Sequence, residues 1–407
     1  MASSLSSHSL ALQPVTGTKK MQPVRIRTIT AGVTLRTPDD RAPFETAVAL
    51  LARARTRVEA AGYELQTVRI ATQPMLAGAE PAARRQALPA LEALDRLAAQ
   101  HGVNTNIGPL LTNDVADPEL GAWCAELVRR TRTISFSVRI ASAAGGVHRK
   151  ACLTAADITR VLATALPGGV ANFRFAAAAN VPPGTPFFPV GYHEGEPAIA
   201  IGLESASLVQ AAMAGAADAA DAEQSLRHRM NEVLREVEAI GAELAAGERV
   251  RYLGIDASPA PGLDRSIGAA IEAFTHVPFG SASTLTACAT ITAVLKSLSV
   301  KTCGYSGLML PVLEDPVLAA RAREGRYGIE ELLLYSTVCG TGLDVVPIPG
   351  DTPVESIARV IDDVATLSAK LSKPLSTRLF PAPGARAGDP VRFDDPHLTD
   401  TSVFAVD

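Results

Sequence analysis

The sequence predicts an α/β fold: strands alternating with helices around a largely parallel sheet, in one large barrel-like domain. Three observations carry this. Val/Ile/Thr-rich runs of strand length alternate with Ala/Leu-rich runs at helical spacing along almost the whole chain. No composition shift marks a domain boundary within residues 24–407, which are expected to form that single domain. The 407 residues suffice to bury a large core, and 47% hydrophobic with 20% charged residues is ordinary for a packed protein.

The first 23 residues are Ser-rich and acid-free at their start, lack an apolar h-region, and read as a disordered extension. The fold then opens with a strand at Val24–Leu35, a helix at Pro43–Ala61 that stops at Gly62, and a strand at Glu64–Thr72. Pro81–Gln100 is a helix with Pro at its first position and Gly102 behind it. Asn104–Leu111 is a short strand or turn, Pro118–Arg130 a helix and Thr131–Ala141 a strand. A helix at Thr154–Leu166 ends at Gly168-Gly169, and Ala171–Ala179 is strand-like. Asn180–Pro197 is too proline-rich for regular structure and reads as a long shaped loop, the kind that carries function. Ala198–Leu203 is a strand, and Ser205–Gly247 is two Ala-rich helices.

Arg251–Asp256 is a strand ending in the loop GIDASPAPG, followed by a helix at Ser281–Leu298 and a strand at Lys301–Leu313. Helices at Pro316–Arg323 and Gly328–Tyr335 lead into STVCGTG and a strand at Asp344–Ile348. Thr352 and Glu355 have capping-box spacing, and the helix behind them lines up Ile357, Val360, Ile361, Val364, Leu367 and Leu371. Pro374–Pro383 is the next strand.

Charge and motifs remove several function classes. Lys+Arg is 38 against 42 Asp+Glu, which argues against nucleic-acid or polybasic membrane binding. Five scattered cysteines without a CxxC pair give neither a disulfide scaffold nor the usual zinc spacing, and they suit a reducing, cytoplasmic compartment. No apolar run is long enough to cross a membrane. GxxxxGK[ST], GxGxxG between strand and helix, HExxH and GxSxG are all absent.

The candidate catalytic residues are Cys339, Asp256 and His193. Cys339 is followed by Gly340 and Gly342, which would expose its sulfur and offer backbone N–H groups; the alternative is a small buried hydrophobe in a turn. Asp256 and Ser258 sit at a strand's carboxyl end, where α/β proteins place reacting groups, or they form an Asx-turn. His193 lies in the proline-rich loop that Asn180 opens, as a proton carrier or a solvated loop residue. Glu314 and Asp315 end an apolar run and either face a ligand or cap the helix at Pro316. Arg378, like Arg139 and Arg174, stands mid-strand and needs an anionic partner, protein or substrate. Arg378, Ser258, Glu314, Asp315 and Asn180 are therefore expected to bind substrate, with no metal site.

The segments CGYSGLMLPVLEDPVLAARAREG, LLLYSTVCGTGLDVVPIPGDTP and KPLSTRLFPAPGARAGDPVRFDD resemble the domain of unknown function 711 family, also called uncharacterised protein family 0210. NFRFAAAANVPPGTPFFPVGYHEG and GIDASPAP are similar to the same family, so the resemblance covers nearly everything after Val24. It implies a pyruvate formate-lyase-like fold, a ten-stranded α/β barrel with an internal loop, here carrying Cys339. Glycyl-radical enzymes of that fold need a glycine near the C-terminus, and DDPHLTDTSVFAVD has none, so radical chemistry is excluded. The resemblance also implies an ACT-type regulatory protein as a partner.

The expected function is a cofactor-independent, non-radical enzyme of lyase or cyclase type, with acyl transfer second. It would act on a small anionic or acyl-like metabolite inside the barrel, and the chain could form a homo-oligomer. The alternative is a non-catalytic metabolite sensor.

Overall fold

The computed structural model describes residues 24–406. The expected disordered extension, residues 1–23, lies outside them. The chain opens with β1 (Arg25–Val33), α1 (Arg41–Ala60), β2 (Leu65–Thr72), α2 (Pro81–Gln100), β3 (Val103–Pro109), α3 (Leu120–Arg130), β4 (Ile134–Ser142) and the two-residue β5 (Gly146–Val147). It continues through α4 (Arg149–Leu162), β6 (Phe175–Ala179), β7 (Ala198–Glu204), α5 (Ala206–Met213), α6 (Ala219–Glu248) and β8 (Arg251–Ala260). The last third holds α7 (Ile267–Thr275), α8 (Thr284–Lys296), α9 (Pro316–Arg323), α10 (Ile329–Ser336), β9 (Gly342–Pro349), α11 (Val354–Leu371) and β10 (Leu375–Ala382). A short hairpin, β11 (Pro390–Val391) and β12 (Thr401–Ser402), ends the fold.

Ten strands form one mixed sheet in the order β8-β7-β1-β2-β3-β4-β6-β10-β9, with β5 beside β4. β1, β2, β3, β4 and β6 run parallel. The pairs β7/β8 and β9/β10 are each parallel within themselves and antiparallel to the central block. The ladder does not close, and β8 and β9 are its edges.

Strand alternation sorts the side chains into two faces. On β4, Ile134, Phe136, Val138 and Ile140 enter the large core beneath the helices. Ser135, Ser137 and Arg139 take the opposite face. β6 does the same: Phe175, Ala177 and Ala179 join the outer core, while Ala176 and Ala178 pack inside with Val181, Val190 and Tyr305. The inner face is thus polar or small, and loops fill it. Thr30 Oγ1 donates to the Pro186 carbonyl (2.9 Å), and Asn106 Nδ2 to that of Pro189 (2.6 Å).

The sheet is strongly curled about this inner face. β1 and β10 stand five strand steps apart, or ~24 Å in a flat sheet. Yet Arg27 of β1 and Arg378 of β10 both reach Glu314, at 3.1 and 2.9 Å.

Several expectations need correction. Lys301–Leu313 is not a ladder strand; it crosses the gap between the edge strands, with one parallel bridge at Thr302 to Ile255 and another at Pro311 to Asp344. Its glycines and prolines interrupt the regular pairing. β8 runs on to Ala260, so Asp256 and Ser258 lie within a strand and not in a loop after it. α7 was not foreseen, and α4 begins at Arg149 instead of Thr154. The Thr352 hydroxyl donates back to the Pro349 carbonyl (2.8 Å) and forms no capping box.

Candidate active site

An ion-pair chain crosses the inner face. Glu204, the last residue of β7, is buried and holds Arg25 (2.9 Å) and Arg27 (3.2 Å) of β1. Glu314 takes Arg27 on one oxygen and Arg378 on the other. Arg378 also donates through Nε to Asp344 of β9 (2.5 Å). Arg69 of β2 joins the group without a carboxylate. Its Nε donates to Thr67 Oγ1 (3.2 Å), and the guanidinium lies 5.1 Å from the Phe188 ring centre.

These groups shift one another. Burial pushes Glu314 up, but Arg378 and Arg27 outweigh it and hold the carboxyl below its ordinary range. Burial also pushes Asp344 up. There it wins over Arg378, helped by repulsion from Glu314, and Asp344 stays above the usual carboxylate value. Burial, with Arg27 adding repulsion, pulls the Arg69 guanidinium down to about 9. An arginine so disfavoured, with two Nη atoms not committed to an acid, suits an incoming anion.

The expected site residues fall into separate places. Glu314 and Arg378 meet, as do Asp256 and Ser258. Asp256, Cys339, His193 and Arg378 make no hydrogen bond or ion pair with one another. Asp256 is buried and accepts from Ser258 Oγ (2.6 Å), Ser258 N, Ser306 N and Tyr305 N. It ties β8 to the Cys303–Gly307 turn, and burial raises it despite these donors. Ser258 Oγ in turn accepts from Gly307 N (3.1 Å). His193 is buried against Gly32, with Nε2 at 3.1 Å from the Gly195 carbonyl, and burial lowers its pKa.

Asp315 caps two helices at once. Its oxygens accept from Ile267 N and Gly268 N of α7, Val317 N and Leu318 N of α9, and Ser266 Oγ. Asn180 turns away to Ser368 Oγ of α11 (2.9 Å). Arg174 spends its donors on the Ile134, Val128 and Thr131 carbonyls, and Arg139 reaches the Tyr192 hydroxyl (3.2 Å).

Cys339 corrects the picture of an internal reactive loop. It is 1% exposed and belongs to the outer hydrophobic core, and its backbone N–H returns to Tyr335 in α10. The glycine beside it serves close packing: Gly340 N donates to the Leu308 carbonyl (2.9 Å), and a Cβ on Gly340 would lie 2.3 Å from Gly307 Cα. Cys303 is the one cysteine not buried, although its surroundings raise its thiol pKa through desolvation. Iodoacetamide mapping of the native chain should therefore find Cys303 modified first and slowly, with Cys339 protected. Prompt labelling of Cys339 would refute this packing.

Sequence reasoning missed Arg27, Arg69, Glu204 and Asp344. The available signal was period two: Arg25 and Arg27 in β1, and Thr67 and Arg69 in β2, place polar groups on one face of otherwise apolar strands.

A family described as "Uncharacterised ACR (DUF711)" matches residues 19–394. The chain belongs to the DUF711 family. A UPF0210 protein of Pyrobaculum islandicum is 33% identical over 365 residues, spanning 85% of this chain and 80% of that one. Another from Desulforudis audaxviator is 31% identical over 399 residues, with 90% and 88% covered. A third, from Methanosarcina mazei, is 26% identical over 404 residues. The DUF711 match spans both walls of the charged inner face, from β1 to β10. Among the described residues no helix is long and apolar enough to cross a membrane, and no cluster of three His, Cys, Asp or Glu side chains could hold a metal ion.

Proposed function

We propose that this chain is a cofactor-independent, non-radical enzyme of lyase or cyclase type, working on a small anionic metabolite against the inner face of its sheet. One observation carries the reading. Two carboxyls, Glu314 and Asp344, share Arg378, and their surroundings push them in opposite directions. Such a pair sets a weaker and a stronger carboxyl base side by side, the division that acid–base chemistry uses. Arg69, which has no carboxylate partner, would hold the substrate's charge, and Phe188 would cover its apolar part. In this reading Glu314 removes a proton and Asp344 donates one to the leaving or attacked group. Acyl transfer through Cys339 ranks below this, because that thiol is enclosed in the outer core.

The sensor reading has its own support: both Glu314 oxygens and one from Asp344 are already engaged by arginines, so anion binding could act on the ion-pair chain without turnover. We further read the curled sheet as pyruvate formate-lyase-like. The five-strand parallel block flanked by reversed pairs, with 301–313 in the gap, favours this. A cytoplasmic location, an ACT-type partner and a homo-oligomer belong to the same proposal.

The test takes a small carboxylate or phosphate that stabilises the wild-type chain and follows it by NMR with Glu314→Gln. The enzyme reading expects wild-type conversion and a fall of about 10²–10⁴-fold in the variant, with binding retained. Binding without conversion by the wild-type chain would favour the sensor.

A further inference from the structure

A second charged place lies at the segment that crosses the strand gap. Two loops cross there, Cys303–Gly307 and Thr337–Gly340, with Gly307 and Gly340 nearly touching. One lysine steadies each loop. Lys296, the last residue of α8, donates to the Tyr305 carbonyl (2.7 Å). Lys373, between α11 and β10, donates to the Thr337 (2.9 Å) and Cys339 (2.6 Å) carbonyls. Among the described residues, neither ammonium has a carboxylate within ion-pair distance.

We propose that Lys296 and Lys373 form a binding site for a phosphate-type oxyanion at this loop crossing. Donor geometry carries the proposal. An ammonium has three N–H vectors. Lys373 uses two on carbonyls and keeps one; Lys296 uses one and keeps two. Two lysines held on touching loops, each with donors to spare and no ion pair among the described residues, are complementary to a bound oxyanion. Burial lowers both pKa values; Asp256 opposes it at Lys296, and at Lys373 Cys339 opposes it while Lys296 adds to it.

Residue choice fits. The chain has seven lysines against 31 arginines, yet both cations here are lysines, the compact charge with rotatable donors.

The site is separate from the arginine cluster, so its test is too. The native chain is acylated at lysine by a mild anhydride, and each site is followed by mass spectrometry in phosphate and in chloride at equal ionic strength. Phosphate should slow Lys296 and Lys373 together by about threefold or more, leaving Lys150 and Lys370 unchanged. Equal rates in phosphate and chloride at all four positions, or equal slowing of all four by phosphate, would overturn the proposal. Because the native chain is used, no variant has to fold. A Lys373→Gln variant with an unchanged melting point should lose the protection at Lys296, and full protection there would also overturn it.

Discussion

Replacing Arg378 with Met is expected to destabilise the protein by about 3–5 kcal/mol, among the largest effects of any single substitution here. The guanidinium sits between Glu314 and Asp344, and all three side chains are at most 10% exposed. Methionine fills much of the volume but leaves two carboxylates facing each other without their shared counter-charge. The loss should depend on pH, and its sign follows from the shifts. In the wild-type chain Glu314 is held low, so its contribution is present above its unfolded pKa and is lost as pH falls through the folded value. Asp344 is held high and works the other way: its contribution is full below its unfolded pKa and is lost as pH rises through the folded value. Without Arg378 both carboxyls are expected to rise, so the variant gains relative stability as pH falls from neutral toward 5. Urea unfolding at pH 7 and pH 5 measures this. A gap between variant and wild type that is unchanged or widens at pH 5 would show that the charges are not what the arginine supports.

The second large effect is expected at Gly340. Gly340→Ala places a methyl group 2.3 Å from Gly307 Cα, and backbone on both sides leaves no flexible side chain to yield. The two loops must separate, so the Gly340 N–H bond to Leu308 and the Lys373 hold on the Cys339 carbonyl are strained together. A cost of about 3 kcal/mol or more follows. In urea, Gly340→Ala should lower the midpoint far more than Gly215→Ala, where an added Cβ meets nothing within 4 Å. Similar midpoints would mean that the loops are not packed as described.

How much of this was legible varied with the physical signal. Long amphipathic helices such as α2 and α11, and strands such as β1 and β2, follow from period and punctuation alone. The Asn180–Pro197 loop was also legible, because its prolines forbid a ladder. β8 was cut short because Pro259 and Pro261 look like strand breakers. An edge strand tolerates Pro, since one of its sides has no ladder to lose. Residues 301–313 were read as a strand from their apolar run, but in the gap between two edges they make bridges and turns instead. α7 has nine residues, too few for its period to stand out, and it depends on Asp315 from a distant segment for its cap.

The candidate site was half legible. Arg378 in an apolar strand signalled a buried ion pair, and Glu314 ended the right segment. Asp315, Asp256 and Asn180 carry the same residue chemistry, but their partners are backbone amides and a hydroxyl that only the fold brings near. Cys339 beside Gly340 suggests an exposed thiol; Gly340 instead lets its backbone meet that of Gly307. Arg27 and Arg378 meet only through Glu314, which comes from a third, distant segment, and no local pattern encodes that.

Anion binding on the inner face through Arg69 is open to calorimetric titration of small carboxylates and phosphates into the wild-type chain and into Arg69→Gln. At least one ligand is expected to bind the wild-type chain and add about 2.7 kcal/mol of stability at a hundredfold excess over its dissociation constant. Arg69→Gln should fold normally and weaken that ligand by about tenfold or more. Equal affinity for both chains, or no binding by any member of the two classes, would contradict it.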